Sequence, residues 1–367
     1  MDLIKTRRAL GLMSSSALEG VQAALIETDG VDVYSSGPSE IYPYDDVLRE
    51  RLRSLYGRKQ GEGYDELISE VGREFTQFNA AVVEDFATSY AVEPEIIGFH
   101  GHTVEHIPSE RYILQIGDGN LLARLAGIPV VNHFRQADLA AGGQGAPLTP
   151  IYFNALASKA DLPRPLVILN ISGISTISWF GTNGEMLAFD CAPGNVAIND
   201  WVLRHGGMHM DYNGRLAITG SVNNHVLSSL MHHKYLGKYP PKAMDRNLFK
   251  EKLEHLEGLS LADGAATATA FVAEAIAYSL AMYVPEMPGE MIVIGGGAAN
   301  PTLLRFLRQR LEKVEIKTGA DLGWNIDAVE AQAFAYLAVR RANLMPASYP
   351  STTGVAEPII CGEICEP

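Results

Sequence analysis

The chain has 367 residues, 47% of them hydrophobic and 20% charged, a globular composition too long for one ordinary core, so two domains of comparable size are expected. A formal net charge of −14, from 43 acidic against 29 basic residues, argues against nucleic acid and anionic membrane as partners, though local donors can still hold a small anion. Three cysteines (Cys191, Cys361, Cys365) cannot pair completely, the N-terminus lacks a signal-peptide core, and no apolar run reads as membrane-spanning, so a soluble cytoplasmic protein is expected.

In chain order, residues 9–13 form an apolar strand, residues 14–17 a turn of small residues, and residues 20–26 a returning strand. Helical periodicity runs over 64–90. A buried strand over 95–99 passes through Gly98 into His100-Gly101-His102-Thr103. The glycine-rich, weakly periodic stretch 133–150 marks the expected boundary. The grammar then repeats: strand 166–170, turn 171–175, return 176–180, and a buried strand 291–294 ending in Gly295-Gly296-Gly297. Helical periodicity fills 264–284 and 300–311. Strands alternating with helices, written twice, predict two related α/β lobes, 1–132 and 133–344, with the tail 345–367 packed as a strap on the first.

Two hairpin turns of small residues, one per lobe, expose backbone N–H groups and hydroxyls to which phosphate oxygens can bind. The candidates are Ser14, Ser15, Ser16, Glu19 and Gly20 in the first, and Ser172 and Gly173 in the second. A single turn of this kind is more often an ordinary hairpin; the pair, with the glycine loop Gly295, Gly296 and Gly297 after a buried strand, favours a nucleotide. The G-x-G-x-x-G spacing of a dinucleotide fold is missing. Asp190 follows a strand over 185–189 and precedes Pro193-Gly194-Asn195, which opens a helix to about 205. It is either a helix N-cap or a carboxylate facing a ligand beside the positive end of that helix.

Several runs together resemble the anhydro-N-acetylmuramic acid kinases of bacterial cell-wall recycling: Gln115-Ile116-Gly117, Ala140 through Leu148, Phe189-Asp190, Pro193-Gly194-Asn195, Gly295-Gly296-Gly297 and Glu330 through Ala335. The resemblance implies an actin-like (ribonuclease H-like) fold with two lobes around a cleft, and a homodimer. It also implies a reaction in which water opens the bridge of 1,6-anhydro-N-acetylmuramic acid while Mg-ATP phosphorylates O6. In that scheme Asp190 is the general base, Thr103, Arg135 and Glu330 contact the sugar, and ATP and Mg²⁺ serve the phosphoryl transfer.

The chain departs from the family pattern mainly on the nucleotide side. Ser15, Ser16, Ala17 and Glu19 stand where the family has Gly, Thr, Ser and Asp; Gln22 replaces an Asp, and Ser172 a Gly. Cys191 and Ala192 replace Thr and Gly, while His102 and His133 replace Gln and Asp. A Cβ at Ser15 or Ser172 is expected to crowd a phosphate or an unusual backbone angle. Two other readings follow: a sugar-binding paralogue with little phosphoryl transfer, and a metal hydrolase built on His100, His102 and His106.

Overall fold

In the computed structural model, which describes residues 4–367, the chain divides into two compact units. One runs to Asp161 and resumes over Asp327–Pro367; the other is Leu162–Ile326. The division therefore falls after 161, not at 132/133, and the chain returns to the first unit at 327, not after 344. The glycine-rich stretch read as a linker is bonded into the first unit: the buried Asp138 carboxylate accepts from the Gly145 N–H at 2.6 Å and from the Thr353 hydroxyl.

The first unit opens with β1 (Arg7–Ser14), β2 (Gly20–Thr28) and β3 (Val33–Pro43), followed by α1 (Asp46–Ser54) and α2 (Asp65–Tyr90). Next come β4 (Ile96–Ile107), β5 (Tyr112–Ile116), α3 (Gly119–Ala126), β6 (Val130–Asn132), α4 (Phe134–Ala140) and α5 (Pro150–Lys159). The second unit contains β7 (Leu166–Ile171), β8 (Ile174–Phe180), β9 (Met186–Pro193), α6 (Asn195–Gly206), α7 (Asn224–Met231) and α8 (Lys250–Leu253). It continues through α9 (Leu261–Tyr283), β10 (Glu290–Ile294), α10 (Pro301–Arg310) and β11 (Glu315–Thr318). The chain then rejoins the first unit with α11 (Val329–Ala342) and β12 (Glu363–Cys365).

The two sheets repeat one topology. In the second unit the order is β11-β10-β7-β8-β9, with β7, β10 and β11 parallel and the β7–β8–β9 meander antiparallel. In the first unit the order is β12-β6-β4-β1-β2-β3, again with an antiparallel β1–β2–β3 meander and parallel β1, β4 and β6. A meander followed by two parallel crossovers is the ribonuclease H-like order, so each unit has the actin-like lobe fold. The central strands are mostly apolar because both of their faces are covered, as in β7, where every residue is buried and Asn170 is the polar one.

Glycine determines how closely one helix sits on the first sheet. Gly11 of β1 and Gly98 of β4 are register partners. A Cβ on either would overlap backbone of α11, at the Ala331 and Phe334 carbonyls respectively. The bare strands let α11 lie directly on the sheet, which fixes the position of its first turn and of Glu330 within it.

Helix α9 is long and apolar enough to cross a membrane by length and composition, which the sequence reading did not recognise. Its alanine-rich surface instead fills the second unit's core beside Trp201, Phe249 and Leu303.

Candidate functional site

On the first unit, β4, β5 and α4 bring together three of the polar groups under consideration. Thr103 lies on β4, Gln115 on β5 and Arg135 in the first turn of α4, all partly exposed. The Gln115 amide donates to the Thr103 hydroxyl at 3.1 Å and to the His100 carbonyl at 3.1 Å. One Arg135 nitrogen donates to the Gly145 carbonyl at 2.8 Å, and the other lies 3.2 Å from His100 Nε2. His100 Nδ1 sits 2.8 Å from the Gly101 carbonyl, an acceptor, so Nδ1 carries the hydrogen and Nε2 offers its lone pair to the guanidinium. Burial, and then the Arg135 charge, hold the His100 pKa well below the ordinary value, which keeps the ring neutral and able to accept.

Glu330 is partly exposed in the first turn of α11. The close contact of that helix with Gly11 and Gly98 sets its place.

His100 and His102 share a strand but serve different partners. His102 Nδ1 is 2.8 Å from the Ser14 hydroxyl, which is itself 2.6 Å from the Tyr44 hydroxyl, all three side chains being buried. Burial lowers the His102 pKa from 6.5 to about 4. His106 Nε2 meets the Gln144 carbonyl at 2.9 Å. Among the described residues no group of three His, Cys, Asp or Glu side chains converges as a metal site.

Ser14 thus ends β1 as an inward-facing anchor, whereas Ser15 is partly exposed and Ser16 and Glu19 are exposed. The turn closes with the Leu18 N–H on the Ser15 carbonyl at 3.2 Å, and the left-handed residue in it is Leu18, at φ 58°. Neither Ser15 nor Ser172 has a positive φ, so a side chain at those positions strains no backbone angle, contrary to the expectation from sequence. Gly20 is required where it is, because a Cβ there would overlap the Tyr42 carbonyl on β3.

On the second unit, three loops converge where parallel strands β7 and β10 end. The Ser172 carbonyl accepts from the Asn195 N–H at 2.8 Å, and the Gly173 carbonyl from the Gly194 N–H at 2.9 Å, so the β7–β8 turn caps α6. Gly295, at φ 75°, lies so close that a Cβ would stand 2.8 Å from the Ile171 carbonyl and overlap the Asn170 side chain. A Cβ on Gly297 would overlap Ile171, while Gly296 is exposed. The carboxyl ends of parallel strands are where α/β sheets bind ligands.

Asp190 is inside β9, not at its end, and does not cap α6; the β8–β9 ladder runs on to the pair Ile174–Pro193, and Gly194 is the N-cap. A bulge between Ser175 and Thr176 turns the strand at this point. Asp190 is 6% exposed, with Oδ1 accepting from the Thr176 hydroxyl at 2.7 Å and Oδ2 from the Met244 N–H at 2.9 Å. The Asp190 N–H donates to the Lys242 carbonyl at 2.9 Å, and its carbonyl accepts from the Tyr235 hydroxyl at 2.9 Å. Cys191, next in the strand, points into the core and donates to the Ser175 carbonyl, so its thiol is structural.

Sequence reasoning missed Asp138, which organises the Gly142–Gly145 turn, and the segment around Lys242 that frames Asp190. Asp138 stands four residues before the first of those glycines, a spacing that hints at a loop anchor. For Lys242 the only local signal is the preceding Pro240-Pro241 pair.

A family model described as "Anhydro-N-acetylmuramic acid kinase" matches residues 7–367. An anhydro-N-acetylmuramic acid kinase of Paramagnetospirillum magneticum is 46% identical over 355 residues, covering 95% of this chain and 97% of its own length. Relatives with the same name from Rhodospirillum rubrum and Rhodopseudomonas palustris are each 42% identical, over 96% and 98% of this chain and 93% and 100% of their own. Among solved structures, an activator of 2-hydroxyisocaproyl-CoA dehydratase from Clostridium difficile covers 92% of this chain and 96% of its own at 14% identity, with a TM-score of 0.44. A ROK family glucokinase from Streptomyces griseus covers 90% and 99% at 13% identity, with a TM-score of 0.39. By the match along nearly its whole length, the chain belongs to the anhydro-N-acetylmuramic acid kinase family.

Proposed function

We propose that this chain is the ATP-dependent kinase that opens 1,6-anhydro-N-acetylmuramic acid with water and transfers the γ-phosphoryl group of Mg-ATP to the freed O6. Membership in the family carries the reading, and the intact Asp190 with both carboxylate oxygens fixed by donors agrees with it. In this scheme Asp190 takes a proton from the water that attacks the anomeric carbon. The bond from that carbon to O6 breaks, and O6 attacks the γ-phosphorus and releases ADP, giving N-acetylmuramic acid 6-phosphate.

The roles of the remaining residues are part of the proposal. Arg135 grips the lactyl carboxylate, with His100 and Gly145 setting its plane. Thr103 and Glu330 meet the sugar. Ser15, Ser16, Glu19 and Gly20 on the first unit, and Ser172, Gly173, Gly295, Gly296 and Gly297 on the second, offer groups to nucleotide phosphates, while Ser14, its hydroxyl taken by His102 and Tyr44, anchors the first turn from inside. A homodimer working in the cytoplasm, without nucleic acid or membrane as partner, completes the reading.

Nothing in the comparisons favours a degenerate sugar-binding paralogue, and the side chains at Ser15 and Ser172 occupy ordinary backbone angles. Coupled measurement of ADP release with the anhydro sugar tests the function. Wild type should turn over, and Asp190→Asn should lose activity by about 10³-fold, within the range of a general base. Absence of sugar-dependent ADP from folded wild type, or full activity in Asp190→Asn, overturns the reading.

A further inference from the structure

Lys242 is fully buried in the second unit, although lysine is among the residues least often found there. Its ammonium lies over three aromatic rings, 4.5 Å from the centroid of Tyr283, 4.8 Å from Tyr235 and 5.6 Å from Phe189. It also donates to the Tyr235 carbonyl at 3.2 Å and lies 3.5 Å from that of Leu236. Carbonyl oxygens and ring faces are all electron-rich, so the surroundings select the charged ammonium; a neutral amine would turn its lone pair toward one of them.

The same residue adjoins the proposed base. The Lys242 carbonyl receives the Asp190 N–H, and two residues later the Met244 N–H binds Asp190 Oδ2. Tyr235, a wall of the cage, donates its hydroxyl to the Asp190 carbonyl. The cage and the carboxylate are therefore one construction, joined by three hydrogen bonds.

We propose that Lys242 is the positioning residue of Asp190: its caged ammonium pins the 242–244 backbone that holds the carboxylate and supplies the positive charge that favours the carboxylate form. This rests on the reading of Asp190 as general base. Lys242 itself touches neither sugar nor nucleotide in the proposal.

The titratable and charged groups facing the ammonium are Asp190 and Cys191 from β9, Tyr235 and Lys238 from the loop before it, and Tyr283 from α9. Burial raises the pKa of Cys191 and of Tyr235, so both stay neutral and Asp190 is the anion in this set. Burial lowers the Lys242 pKa to about 8, with the Lys238 charge lowering it further and the Asp190 carboxylate opposing both. Loss of the proton above that pH removes the charge that the cage is built around.

The test compares wild type, Lys242→Met and Asp190→Asn in full-length protein, measuring kcat and KM for both substrates from pH 5.5 to 9.5, with thermal melts as a check on folding. Lys242→Met should lower kcat on the order of 10–100-fold, the range expected for a misplaced catalytic group, with both KM values changed by less than about threefold. The pH at which activity switches on should move upward, because the carboxylate has lost a neighbouring cation, and the wild-type decline above about pH 8 should disappear. Wild-type kcat and an unmoved acid limb in a folded Lys242→Met overturn the proposal, as does an equal loss in kcat and in binding. If Lys242→Met does not fold, wild type decides: kcat must fall above pH 8 while both KM values stay level, and a flat kcat to pH 9.5 overturns the proposal. Inactive wild type would instead overturn the parent reading, and Asp190→Asn with full activity would do the same.

Discussion

In the first unit the polar residues hold one another: the Gln115 amide binds Thr103, the neutral His100 ring receives Arg135, and Arg135 reaches back to the Gly145 carbonyl. In the second unit Asp190 is a single carboxylate: the Met244 N–H and the Thr176 hydroxyl donate to its two oxygens, while its peptide group binds the Lys242 carbonyl and the Tyr235 hydroxyl. The sheets beneath share the meander and its two parallel partners, yet one site is a web of side chains and the other a single carboxylate with a donor on each oxygen. A side-chain web tolerates the loss of one member with a change in affinity, because its groups bind; a single fixed carboxylate does not, because it must sit correctly for one proton transfer.

The largest expected effects separate the two. Asp190→Asn should reduce kcat by about 10³-fold with little change in sugar KM. Arg135→Gln should raise sugar KM by about 10–100-fold, the equivalent of about 1.5–3 kcal/mol for a charge-assisted hydrogen bond, while kcat stays within a few-fold. Steady-state kinetics on both variants sharpen the contrast. A kcat-only defect in Arg135→Gln would break it.

Packing gives the next effect. Gly98→Ala places a methyl group against the Phe334 carbonyl and should cost about 3 kcal/mol by urea unfolding, the upper range for overpacking. Gly289→Ala, in the second unit, meets nothing within 4 Å and should stay within about 0.5 kcal/mol of wild type. If Gly98→Ala were neutral, the close seating of α11, and with it the placement of Glu330, would be wrong.

Much of this architecture was legible in the sequence because it is local. The strands over 9–13 and 166–169 carry no polar side chain since both faces are covered, and α2, α9 and α10 show a helical period. What escaped depends on partners far away in the chain. Gly98 reads as the end of a strand, but its purpose is the Phe334 backbone, which no nearby residue announces. The glycines after Asp138 have linker composition, yet they are tied to Asp138 and to a strap at Thr353. Asp190 reads as a strand end because Pro193-Gly194 looks like a breaker, but pairing with β8 carries the strand through Pro193. Lys242 carries no periodic or motif signal, and its importance comes only from the rings and carbonyls that fold around it.

The first unit's buried histidines predict an acid weakness. Burial holds His102 and His106 at about 4 and His100 well below its ordinary 6.5. Unfolding lets each ring take a proton once the pH is below about 6.5. Stability is therefore full above that pH and falls as the pH drops toward about 4, by up to about 1.4 kcal/mol per pH unit for each histidine. His102→Gln keeps a group able to bond Ser14 and should remove one histidine's share of that slope. Chemical denaturation at pH 7 and pH 5 measures it, and an unchanged slope would mean that His102 is protonated in the folded chain.

The smallest expected effect concerns the turn where the chain departs most from its family. Ser15 has an ordinary φ and is bonded through its carbonyl to the Leu18 N–H, so glycine gains nothing from its conformational freedom there. Ser15→Gly should lower stability by about 0.5–1 kcal/mol through added entropy in the unfolded chain. The KM for ATP should stay within about threefold of wild type, since the strain that glycine would relieve does not exist. A tenfold gain in ATP affinity would show that the Ser15 side chain crowds the phosphates. It would also shift the comparison, making the first unit's turn a site limited by sterics while Asp190 in the second remains limited by positioning.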